Sequence, residues 1–97
     1  MVRSDLPVGF LAAQVVHAAG ESSPGNLDPG TNAVVLAVAS EPELIAVAER
    51  LRNAAVPHVA VCEPDAPWNG AMTAIGVAPV RDRAPLKRIL AKLPLLR

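Results

Sequence analysis

At 97 residues the chain is one domain in size, and with Phe10 and Trp68 as its only aromatic side chains its core must be packed from Ala, Val and Leu. Nine Lys and Arg balance nine Asp and Glu, so net charge does not advertise a nucleic-acid binder, and Cys62, being alone, excludes an internal disulfide. No apolar run reaches the roughly 18 residues of a membrane span, and no charged-then-apolar leader precedes the first helix, so a cytoplasmic protein is expected.

The charge is uneven along the chain. Residues 81–97 carry six bases (Arg81, Arg83, Lys87, Arg88, Lys92 and Arg97) against Asp82, a local excess of +5 matched by −5 over the rest. A basic end of this kind reads either as a solvated helix face or as a surface that meets phosphate.

In chain order, Met1 to Arg3 reads as a short strand and Asp5-Leu6-Pro7 as a turn into a helix of small residues, which Gly20 is expected to stop. Gln14 and His17 are the polar side chains of that helix, three residues apart and on one face, which Glu21 extends if the helix runs so far. Residues 21–31, with two Pro-Gly pairs, form a surface loop. Asn32 to Ala39 is a Val-rich apolar run that predicts a strand buried on both faces. Ser40-Glu41-Pro42-Glu43 is a capping box that opens a second helix with Leu44, Val47, Ala48, Leu51 and Ala55 on its apolar face.

Pro57 to Cys62 predicts a third strand, and residues 63–70 a proline-rich loop carrying Glu63, Asp65 and Trp68. Ala71 to Val77 predicts a fourth strand, and Pro85 to Lys92 a third helix. Alternating strands and helices imply right-handed crossovers and a largely parallel sheet, with an antiparallel pair where the short link joins strands three and four. The expected architecture is a single α/β domain over residues 1–97, a four-stranded mixed sheet with helices on both faces.

The stretch Arg3-x-Asp5-Leu6-Pro7-x-Gly9-x-x-Ala12-Ala13-Gln14-x-x-His17-Ala18 resembles the opening motif of the peptidyl-tRNA hydrolase 2 family. That motif commonly reads Arg-x-Asp-Leu, then Gly-Lys-x-Ala-Ala-Gln-x-x-His-Ala. A second segment, Glu63-Pro64-Asp65 followed by Thr73-Ala74-Ile75, is similar to a short-loop bacterial branch of the same family. Phe10 stands where the common motif has a lysine thought to serve the active site, and the first strand is shorter than in relatives. The resemblance implies a mixed four-stranded sheet and hydrolysis of the ester that joins a peptide to the terminal ribose of tRNA.

Such a reaction needs an activated water, a group orienting its base, and donors for a developing oxyanion. On this resemblance His17 is the base or proton shuttle, Asp65 orients it, and Thr73 or Gln14 donates. Glu63 is an alternative carboxylate to Asp65. Arg81, Arg83, Lys87 and Arg88 are candidates for phosphate contacts with tRNA, and Trp68 stacks on a terminal base or covers the core. Each residue also has a plainer reading: Gln14 and His17 as the wet side of a helix, Asp65 as a turn residue, Thr73 as a strand former. No cofactor is expected, because the chain has neither metal-ligand spacing nor a glycine-rich phosphate loop. A homodimer through an exposed short edge strand is expected. The alternative function is a catalytically inactive relative that binds a small ligand or a protein partner.

Overall fold

The computed structural model describes residues 1–97. Seven elements follow one another: β1 (Val2–Arg3), α1 (Val8–Ser22), β2 (Ala37–Val38), α2 (Glu41–Asn53), β3 (Val59–Glu63), β4 (Ala71–Gly76) and α3 (Ala84–Leu90). The strands form one mixed sheet in the order β2-β1-β4-β3. β1 runs parallel to β2, while β4 is antiparallel to both of its neighbours. The expected α/β single domain with a four-stranded mixed sheet is therefore present, but with one parallel pair of three the sheet is mostly antiparallel, not largely parallel as expected, because β4 enters by a short reversal from β3 and pairs antiparallel to β1 as well.

Helix α1 covers one face of the sheet, burying Leu11 and Ala18 with Leu6, Val2, Val61 and Ala74. Helix α2 covers the other, where Leu44, Val47 and Leu51 meet Val38 and Ile75. These branched aliphatics each remove apolar surface from water at about 25 cal/mol per Å², which substitutes for the absent aromatics. Ser40 caps α2 by accepting from the Glu43 amide, and Glu43 reaches back to the Ala39 amide, one residue beyond the expected partner. Glu41 accepts from the Met72 amide at 2.6 Å, which ties the start of α2 to β4.

Two elements differ from the sequence reading by more than a residue or two at their ends. Helix α1 runs through Gly20 to Ser22 and ends at Ser23, which is extended (φ −76°, ψ 137°). The terminator is Pro24, whose ring drives the preceding residue out of the helical region. The expected strand over residues 32–39 is reduced to Ala37–Val38, and Val34 is 63% exposed rather than buried. Its only strand partner, β1, is two residues long, so the ladder has nowhere to continue.

The β2 edge of the sheet is covered. Leu36 forms an antiparallel bridge with Leu95, supported by Ala37 N–H to Pro94 O and Leu96 N–H to Val35 O, both 2.9 Å. The carboxy-terminal segment thus lies along β2 as a short cover, a common protection for a sheet edge. At the other edge of the sheet β3 is paired on one side only, by β4.

β4 departs from simple alternation. Val61 pairs with Ala74 and Cys62 with Met72, which leaves Thr73 as an extra residue without a partner on β3. Such a bulge turns two successive side chains to one face. Ala74 joins the α1 cluster and Thr73 reaches Gln14 on the same helix.

Candidate functional site

One face of α1 carries Phe10, Gln14, His17 and Glu21, spaced by three or four residues so that they form a continuous stripe. Each of the four meets a different neighbour.

At the start of the stripe the rings of Phe10 and Trp68 stack with centroids 4.9 Å apart and planes 6° apart. Trp68 is carried by the 64–70 loop, a compact reversal held by its own backbone. Trp68 and Asn69 both donate to Asp65 O, at 2.9 and 3.1 Å, and Gly70 donates to Glu63 O at 2.7 Å. Asn69 (φ 47°) and Gly70 (φ 90°) take the left-handed conformations that such a turn needs.

The Arg3 guanidinium lies 5.7 Å from the Trp68 ring centre, a cation–π distance. Arg3 is nearly buried and every side of its fork is used. Nε and Nη2 donate to the two oxygens of Asp5 at 3.0 and 2.9 Å, and Nη1 donates to Met72 O at 3.2 Å. The hydrogen bond from Arg3 holds the Asp5 carboxyl below its usual value, and the same bond raises the Arg3 guanidinium. The Arg-x-Asp pair of the opening motif is therefore a structural brace between β1, β4 and the Trp68 loop. Sequence reasoning assigned it no role, although bidentate Arg–carboxylate pairing is the signal that Arg-x-Asp carries.

One turn along, Thr73 Oγ1 donates to Gln14 Oε1 at 2.6 Å, with Val61 O 3.3 Å away as a second acceptor. Gln14 is 4% exposed and Thr73 is fully buried. The hydroxyl is therefore sealed from any bound substrate, and its expected role as a direct donor is replaced by holding Gln14. Gln14 is buried rather than on the wet side of the helix. Its amide nitrogen makes no hydrogen bond within the chain and retains some access to solvent.

His17 lies a further turn on and is exposed. Its Nε2 is 2.9 Å from Glu21 Oε1. Asp65 is exposed in the loop and makes no hydrogen bond with His17, whose hydrogen-bonded carboxylate is Glu21. Glu63 accepts from the Asp65 amide at 3.4 Å and so belongs to the loop's own bonding. His58 is held by Val56 O at 2.9 Å, and Cys62 is an exposed thiol on β3.

The basic residues do not gather beside His17. Arg81, Arg83 and Lys87 line an open cleft of about 930 Å³ on the other flank of α1, walled by Val15, Ala18 and Ala19. Arg81 is engaged there by Asp28 at 2.7 Å. Arg88 faces a separate depression with Ala54 and Ile89. No three His, Cys, Asp or Glu side chains assemble as a metal site, and no helix is long and apolar enough to cross a membrane.

Comparison with known proteins leaves the site to be read from its own geometry: no protein-family model and no curated protein matches the chain.

Proposed function

We propose that the chain is a peptidyl-tRNA hydrolase 2-like enzyme that cleaves the ester between a peptide and the terminal ribose of tRNA. The observation that carries the reading is the buried hydrogen bond between Gln14 and Thr73. It joins the two sequence segments that bear the resemblance, and it fixes a side-chain amide one turn from the exposed imidazole of His17. Nothing in core packing requires a glutamine there.

In this reading His17 removes a proton from a water that attacks the ester carbonyl. The Gln14 amide nitrogen donates to the oxygen on which negative charge develops, and Thr73 holds the amide in place. Collapse of the tetrahedral adduct breaks the bond to the ribose oxygen, which takes up a proton and leaves as a hydroxyl, while the peptide leaves as a carboxylate. Asp65 is retained as a motif carboxylate in the loop that carries Trp68. Arg83 and Lys87, beside the Asp28-paired Arg81, supply phosphate contacts in the cleft on the far flank of α1, and Arg88 supplies one from its separate depression.

A second reading has its own observation. The Phe10–Trp68 stack fills with aromatic surface the place where the family motif has an ammonium. A domain that binds a ligand or partner without hydrolysis accounts for that substitution directly.

Release of peptide from an N-blocked aminoacyl-tRNA separates the two. The hydrolase reading expects turnover by the wild type that His17→Ala abolishes and Asp65→Ala lowers. A folded wild-type chain without turnover sinks it in favour of the binding domain.

A further inference from the structure

We infer that Glu21 is the positioning residue for His17, and that the imidazole nitrogen it leaves free to accept a proton is Nδ1. The inference rests on the hydrolase reading for its catalytic meaning, but its structural content is independent of it. A carboxylate is an acceptor only, so the 2.9 Å contact between His17 Nε2 and Glu21 Oε1 requires the hydrogen to sit on Nε2. The lone pair of the neutral ring then lies on Nδ1, the atom that takes the proton from water.

Stability does not account for the pair. Both side chains are about half exposed, and an i, i+4 pair so screened by water adds little to stability. Glu21 also occupies the last turn of α1, which holds no basic residue. A carboxylate there opposes the helix dipole, which offsets what the pair contributes. What remains is the directional effect: a carboxylate one turn beyond the imidazole selects one tautomer and one ring orientation, as an orienting acid does for a catalytic histidine. The stripe on α1 thus supplies base, orienting carboxylate and donor amide from a single rigid element.

Nitrogen-15 NMR of the imidazoles in the full chain tests this, with the His17 signals assigned by their loss in His17→Ala. With the ring neutral, in alkaline buffer, the wild type is expected to show a proton-bearing Nε2 and a bare Nδ1, and Glu21→Ala to show a mixture of tautomers. With an N-blocked aminoacyl-tRNA as substrate, Glu21→Ala is expected to lower kcat roughly ten- to a hundredfold with KM unchanged. Glu21→Asp should recover part of the loss, and Glu21→Ala should add nothing in a His17→Ala background. A wild-type ring protonated on Nδ1, a spectrum unchanged in Glu21→Ala, or an active Glu21→Ala with wild-type kcat overturns the proposal. An inactive wild type overturns the hydrolase reading alone, because the imidazole signature is read without substrate.

Discussion

Gln14 and Thr73 lie 59 residues apart in the chain and share a 2.6 Å hydrogen bond in the interior. The contact exists because the bulge in β4 leaves Thr73 without a partner on β3 and swings its hydroxyl toward α1. The two groups are not equivalent in what they stand to lose. Thr73→Val strands the Gln14 carbonyl oxygen against apolar atoms and is expected to cost about 1–3 kcal/mol. Gln14→Leu leaves the Thr73 hydroxyl its second acceptor, Val61 O, and should cost less. Urea unfolding of the two single variants and the double variant checks the order, and the double variant should be more stable than the sum of the singles implies.

Phe10 and Trp68 bear on rate as well as stability. Phe10→Lys removes a ring stack worth about 0.5–1.5 kcal/mol beyond its buried area, so a modest fall in the urea midpoint is expected. Under the hydrolase reading the new ammonium lies on the same stripe as Gln14 and His17 and stabilises developing negative charge, which should raise peptide release about tenfold or more. Steady-state assays of Phe10→Lys beside wild type decide it. An unchanged rate in a folded variant would show that the residue at position 10 does not limit turnover.

How far the sequence could be read depended on whether local chemistry or a distant partner decided each feature. The Ser40 cap, the apolar face of α2 and the existence of β3 and β4 are local and were legible. Strand β2 was over-read because its length is set by β1, a segment more than thirty residues away. Gln14 and His17 were legible as a polar stripe, but the stripe turns inward at Gln14 and outward at His17, and only the bulge at Thr73 distinguishes the two. Asp65 was assigned to His17 through the resemblance, while Glu21, on the same face and one turn away, is the acid that reaches it. Arg3 passed unnoticed because its three acceptors come from Asp5 and Met72 together.

The Arg3–Asp5 brace gives stability a dependence on acid. The folded-state carboxyl of Asp5 titrates below its usual 3.8 because Arg3 bonds to its charged form. Its contribution is therefore fully present above about pH 4 and is lost as pH falls through the lowered folded value. Arg3 is raised from an already high value and adds no dependence near neutrality. Thermal midpoints of wild type and Asp5→Asn should differ most above pH 4 and converge in stronger acid. Parallel curves across that window would place the acid sensitivity elsewhere.

Gly76 marks a close approach of α1 to the sheet. A β-carbon there would overlap the Ala18 carbonyl oxygen and stand 2.6 Å from Ser22 Oγ. The serine side chain can rotate away, but the Ala18 carbonyl belongs to the backbone of α1 and cannot move without lifting the helix. Gly76→Ala is therefore expected to destabilise the fold by about 1–3 kcal/mol, the range for overpacking a tight contact. In a domain of this size each kcal/mol lowers the thermal midpoint by about 4–8 °C. Lifting α1 at Ala18 also tilts the stripe at the neighbouring His17, so the variant should lose more turnover than its folded fraction explains. Calorimetry beside the peptide-release assay at a temperature where both proteins are folded separates the two effects. A variant with wild-type midpoint would show that α1 is free to shift on the sheet, which contradicts the packing at Ala18.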